Sequence, residues 1–86
     1  MNISGIVVCT EPAKINTVAA KLSKICGIKP YGIFEEAGKI IAVMEVKNTH
    51  MEVKKFKAIH NITGVLSASM AYHHFENEEA ENQEGQ

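Results

Sequence analysis

Apolar and polar residues alternate along the first three quarters of this chain in two periods, one of strands and one of helices. Ile3 to Cys9 is short, β-branched and apolar on both parities, the pattern of a central strand covered on both faces. Ile15, Val18, Ala19, Leu22, Ile25 and Cys26 then recur three and four apart, while Lys14, Asn16, Lys21 and Lys24 fall mostly elsewhere. That spacing makes one apolar stripe on a helix, with Thr10 as its cap, Pro12 in its first turn and Gly27 just past its end. Ile28 to Glu36 alternates weakly and contains Pro30, which demotes it to an edge strand. Ala37-Gly38 separates it from the strongly apolar run Lys39 to Val46, so the pair reads as a β-hairpin with Gly38 at positive φ.

Thr49-His50-Met51-Glu52 has the form of a capping box, with the Thr49 hydroxyl and the Glu52 carboxylate exchanging hydrogen bonds with the backbone. Behind it, Val53, Phe56 and Ile59 form an inward stripe and Lys54, Lys55 and Lys57 face water. His60 falls in the last turn, where a partial positive charge is favoured. Gly64 turns the chain into a last strand, Val65 to Phe75. Strict alternation divides that strand into Leu66, Ala68, Met70 and Tyr72 on one face and Ser67, Ser69, Ala71 and His73 on the other. The order β-α-β-β-α-β predicts an α+β fold of the ferredoxin-like kind: a four-stranded antiparallel sheet with two helices on one face. The opposite face is then bare.

The chain is 86 residues long, enough for one domain, expected over 1–75. All nine basic residues are lysines lying before Phe75, against five glutamates there; residues 76–86 carry five glutamates and no lysine. That last stretch has no apolar periodicity and reads as a disordered acidic tail. Such a tail is usually solubilising, but it can also steer a basic partner. The chain has no arginine, the residue best fitted to bidentate phosphate contacts, which disfavours nucleic acid as a partner. No run of about 18 apolar residues is present to span a membrane, and nothing near Met1 has the make-up of a secretory leader. A cytoplasmic location is expected.

Cys9 and Cys26 flank the first predicted helix, too far apart for a disulfide; reduced thiols acting as small buried hydrophobes fit better. His73 and His74 are adjacent on a strand and point to opposite faces, so they do not ligate one ion together, and a Cys9–His73 pair lacks a third ligand. No metal or other cofactor is expected. A nucleophilic Cys9–His73 pair would also need an orienting group and an oxyanion site; the chain has no aspartate and no glycine-rich phosphate loop, so no catalytic residue is expected. Tyr31 and Phe34 read as edge-strand packing in preference to partner contacts.

The last strand carries a more specific signal. Gly64-Val65-Leu66, alternating apolar positions, Tyr72-His73 and then a glutamate-rich stretch resemble the pattern of the NapD family, and Ile6-Val7-Val8, Gly38-Lys39-Ile40-Ile41 and Glu45 match in place. The resemblance covers about residues 4 to 79; Cys9, Pro30 and Gly32 depart from the pattern. It implies a cofactor-free, non-catalytic cytoplasmic chaperone. Such a protein binds the twin-arginine signal peptide of the periplasmic nitrate reductase catalytic subunit precursor and holds it from export until the cofactor is inserted. A basic, apolar peptide needs apolar surface near carboxylates. The bare sheet face supplies Val7, Cys9, Ile41, Val43, Glu45, Ser67, Ser69, Ala71 and His73 as the expected contacts, with Leu66, Met70 and Tyr72 turned under the helices. Glu35, with Glu36 and Glu76, is placed to meet arginines. The competing function on the same topology is a small-molecule-sensing or adaptor domain; a metallochaperone would want a Cys-x-x-Cys where Cys9-Thr10-Glu11-Pro12 stands.

Overall fold

The computed structural model describes residues 2–75, with the side chains of residues 73–75 outside that description. The expected acidic tail, residues 76–86, lies outside the described residues. The elements run β1 (Asn2–Thr10), a 3₁₀ turn (Pro12–Lys14), α1 (Ile15–Ser23), β2 (Ile28–Phe34), β3 (Lys39–Val46), α2 (Thr49–His60) and β4 (Val65–Phe75). The four strands form one sheet in the order β2-β3-β1-β4, and β1 pairs antiparallel with both β3 and β4. This is the βαββαβ sandwich expected from the pattern, with Pro30 on an edge strand.

The core lies between the helices and one face of the sheet. Ile6 and Val8 of β1, Ile40, Ala42 and Met44 of β3 and Ile28 of β2 are buried against Ile15, Val18 and Leu22 of α1 and Ile59 of α2. The α1 stripe is therefore the predicted one as far as Leu22. The helix itself is shorter than the stripe. Thr10 ends β1 instead of capping α1; the chain enters through the 3₁₀ turn after Glu11, with no side-chain cap. Ser23 closes α1, so Cys26 sits in the following loop and is exposed, not the buried hydrophobe expected.

Three glycines hold positive φ, and two of them fix the frame of the sheet. Gly27 (φ 90°) accepts a 2.7 Å hydrogen bond from the Glu45 N–H, and a Cβ there would stand 2.5 Å from the Glu45 carbonyl oxygen. Gly38 (φ 65°) makes the predicted hairpin turn, and its carbonyl accepts from the Thr10 N–H at 2.7 Å. Left-handed backbone and a close approach both demand glycine.

Helix α2 is rotated from its expected setting. The cap is Asn48, whose side chain accepts from the Met51 N–H at 2.9 Å. Glu52 is not part of a capping box: it is 4 % exposed and accepts a hydrogen bond from the Ser4 hydroxyl of β1. Asn2 similarly donates to the Thr49 hydroxyl at 3.2 Å. With Glu52 and Ile59 turned inward, Val53 is pushed to the surface at 49 % exposure. The polar contacts between β1 and α2 thus outrank one valine's burial. They set a sharp expectation for urea unfolding. Ile59→Ala should cost about 2–5 kcal/mol and Ser4→Ala, which leaves a buried carboxylate short of a donor, about 1–3 kcal/mol. Val53→Ala should stay within about 0.5 kcal/mol of wild type. A Val53→Ala loss as large as that of Ile59→Ala would mean α2 sits in the other rotation.

Candidate functional site

The face of the sheet away from the helices can be read row by row from the strand register. One row holds Phe34, Lys39, Cys9 and Ser67; the next Gly32, Ile41, Val7 and Ser69; the third Lys29, Val43, Gly5 and Tyr72; the last Glu45, Ile3 and His74. No helix among the described residues covers these positions. Val7, Cys9, Ile41, Val43 and Ile3 are half-buried, and Glu45, Ser67 and Ser69 are exposed. The expected contact residues Val7, Cys9, Ile41, Val43, Glu45, Ser67 and Ser69 therefore share one surface. Glu35 lies on the β2–β3 turn, exposed, at the end of β3 remote from Glu45.

Strand β4 departs from strict alternation. Its register against β1 shifts twice, leaving Leu66 and Ala71 as extra residues. A bulge of this kind flips every following side chain to the other face. Leu66 and Tyr72, expected beneath the helices, are instead 66 % and 52 % exposed; Met70 keeps its place opposite Ile6 but is still 39 % exposed. Tyr72 crosses to the helix-free face, opposite Gly5. Ala71 is exposed in the bulge itself. His73 is registered with Ser4, not with an open-face position of β1, and its side chain is outside the described residues. Cys9 is registered with Ser67, five positions along β1 from Ser4, or about 16 Å of strand. Among the described residues no group of three histidine, cysteine or acidic side chains could hold a metal ion.

Sequence alternation missed the aromatic walls of this face. A Cβ on Gly5 would lie 2.5 Å from the Tyr72 ring, and a Cβ on Gly32 would lie 3.0 Å from the Phe34 ring. Each glycine thus makes room for an aromatic ring lying over the backbone. By register, a shallow apolar saddle of Ile41, Val7 and Val43 lies between Gly32, under the Phe34 ring, and Gly5, under the Tyr72 ring. Phe34 and Tyr31 do not pack into the edge as expected: they are 54 % and 72 % exposed. A register shift at Tyr31 throws that residue out of the ladder. The available signal was a glycine inside each strand pattern, which marks a bulge or a close approach.

At the Glu45 end the face runs into two neighbouring depressions. One, of about 340 Å³, opens between Tyr31, Val43 and Glu45 and the α1–β2 loop. The other, of about 530 Å³, lies between that loop and the start of α2. Cys26, Gly27 and Glu45 line both. Among the described residues the ion pair within 4 Å is Lys14–Glu11, at 3.4 Å; Glu45 is not engaged by Lys29 or Lys47. No helix among the described residues is long and apolar enough to cross a membrane.

The sequence model of the NapD family, described as NapD protein, matches residues 1–77. The curated protein Chaperone NapD of Haemophilus influenzae is 26% identical over 72 residues, which are 84% of this chain and 77% of that protein. The solution structure of the Escherichia coli Tat proofreading chaperone protein NapD superposes with a TM-score of 0.79 at 22% identity, covering 88% of this chain and 80% of that one. An AsnC-family transcriptional regulatory protein from Pyrococcus furiosus superposes with a TM-score of 0.69 at 20% identity, over 92% of this chain and 55% of that one. Both structural likenesses concern the fold.

The saddle makes one direct prediction. If the Tyr72 ring lies on Gly5, its ring current shifts the Gly5 Hα resonances upfield, and Tyr72→Leu removes the shift while the Gly32 resonances, under Phe34, stay put. Unshifted Gly5 protons in the wild-type spectrum would place the ring elsewhere.

Proposed function

The chain belongs to the NapD family, and on that premise we propose that it is a cytoplasmic, non-catalytic chaperone for the signal peptide of the periplasmic nitrate reductase catalytic subunit precursor. In this reading it takes the twin-arginine leader of that precursor on the open sheet face and holds it from export until the enzyme has received its cofactor.

The observation that carries the reading is the saddle of Val7, Ile41 and Val43 between the Phe34 and Tyr72 rings. A leader of this type joins a basic end to an apolar segment. The saddle offers the apolar segment half-buried aliphatic side chains and two exposed rings, the residue types that dominate binding hot spots. Burial there supplies most of the affinity, at about 25 cal/mol per Å² of apolar surface removed from water. The exposed carboxylates of Glu35, Glu36 and Glu45 border the same face. Each exposed ion pair adds only about 0.2–1 kcal/mol, so these groups orient more than they hold. Nothing in this arrangement requires a nucleophile, a metal or a proton relay.

Titration of ¹⁵N-labelled protein with a twin-arginine leader peptide tests the surface. Backbone amides of Ile3, Val7, Ile41, Val43 and Tyr72 are expected to shift, and those of α1 to stay still. Ile41→Glu puts a charge into the saddle and should weaken binding by about tenfold or more, roughly 1.4 kcal/mol, with little change in melting temperature because Ile41 is only half-buried. Shifts confined to α1 and α2, with Ile41→Glu binding as tightly as wild type, would remove the sheet face as the docking surface.

A further inference from the structure

The cavity of about 340 Å³ at the corner of β2 and β3 lies at one end of the saddle and is not explained by it. It is at the small end of the range for ligand-sized pockets, too small for a folded segment and suited to a long side chain. Its walls are chemically unlike. Tyr31 stands at one side, 72 % exposed, held out of the strand ladder by the register shift. Val43 and the half-buried Ile25 give it an apolar lining. The exposed Glu45 brings the one carboxylate among the lining residues.

Glu45 is anchored as a receptor group should be. Its N–H donates to the Gly27 carbonyl at 2.7 Å, and its own carbonyl oxygen lies so close to Gly27 that no side chain could stand there. The backbone that launches the carboxylate is therefore pinned. The carboxylate itself is not engaged by any lysine of the chain within 4 Å, although Lys29 lines the same cavity. The chain has no arginine to occupy the site from within.

We propose that this corner cavity is a receptor for one arginine side chain of the bound leader, and that it sets the direction in which the leader crosses the sheet. The proposal rests on the docking face described above and goes further, because it names which end of the face takes the basic end of the peptide. A guanidinium donates its planar fork of N–H groups to the Glu45 carboxylate, stacks on the Tyr31 ring and lays its methylene stem along Val43 and Ile25. A lysine ammonium satisfies the charge but offers neither the fork nor the stacking plane. Glu35 and Glu36 carry the same charge on the β2–β3 turn, at the opposite end of β3 from Glu45. That is six residues or about 20 Å away, and neither lines the cavity. With the arginine at Glu45, the apolar segment runs from this corner across Val43 and Ile41.

Fluorescence anisotropy with a labelled leader peptide carrying Arg-Arg, Lys-Lys or Gln-Gln at the basic position tests this on the full-length chain. Glu45→Gln is expected to weaken the Arg-Arg peptide by about five- to tenfold and Tyr31→Ala by about threefold, with the Gln-Gln peptide changed by less than about twofold in either variant. Lys29→Gln, which removes a competing cation from the rim, should tighten the Arg-Arg peptide or leave it unchanged. Glu35→Gln should have no effect beyond long-range charge. The proposal fails if Glu45→Gln binds Arg-Arg like wild type while Ile41→Glu weakens it; the face then still docks the leader, but its arginines sit elsewhere. It also fails if Lys29→Gln weakens binding, since the cavity would then take an acidic group. If Ile41→Glu has no effect either, the docking face falls together with the corner cavity.

Discussion

Two helices can cover one face of a four-stranded sheet and no more, and the rest of this molecule is arranged around that limit. The helix-side positions of β1 and β3 go mostly to the core: Ile6, Val8, Ile40, Ala42 and Met44 are inaccessible to solvent, and Ser4 beside them meets Glu52 of α2. The positions between them meet no second layer among the described residues. They are nevertheless apolar, with Val7 beside Ile41 and Gly5 beside Val43. A chain selected only for stability would be expected to place polar residues on the wet side of an antiparallel sheet. Apolar residues there lower solubility and gain nothing in the monomer unless something else covers them.

The monomer covers them in part by its own means. Tyr72 leans over Gly5 and Phe34 over Gly32, so each ring shields backbone that would otherwise be open. The β4 bulge at Ala71 is the device that brings Tyr72 to this face. Without it, strict alternation would send that ring under α2, where Glu52 and Ser4 already occupy the interface. The bulge in the edge strand and the buried polar contact on the other side of the sheet are therefore compatible with each other. Together they leave an aromatic wall standing beside the aliphatic floor.

Much of this was legible in the sequence, and the limits have physical causes. Element order, sheet type and the parity of β1 and β3 follow from period and from glycine and proline placement, because those signals act locally. So do Val7, Ile41, Val43, Glu45, Ser67 and Ser69 as one surface. What alternation cannot show is an extra residue: a bulge at Ala71 has no composition of its own, and every position after it is then assigned to the wrong face. Tyr72 was misplaced for this one reason. Helix α2 failed differently. Val53 is more apolar than Glu52, so any hydrophobic count turns Val53 inward; the Ser4 hydroxyl that receives Glu52 lies 48 residues away in sequence and is invisible to a local pattern. The capping motif misled in the same place, since Thr49-x-x-Glu52 fits a box while Asn48 does the capping.

In the function proposed above, the open sheet face and its rim would divide the tasks of a chaperone that must both grip and let go. Apolar contacts on a shallow saddle are non-directional and tolerate variation in an apolar segment, which makes them suited to affinity but poor at register. A charged group beside an aromatic ring is the reverse: modest in energy near water, strict in geometry. Placing the two at different points of one surface would let the chain set strength through Val7, Ile41 and Val43 and orientation through the proposed corner at Glu45. Because no described element covers the saddle, a peptide bound there would stay in contact with solvent. Its release would need no opening of the fold, only loss of contacts already close to water. The core behind β1 and β3 would be untouched by the exchange, so the proposed binding and the folding draw on opposite faces of the same two strands.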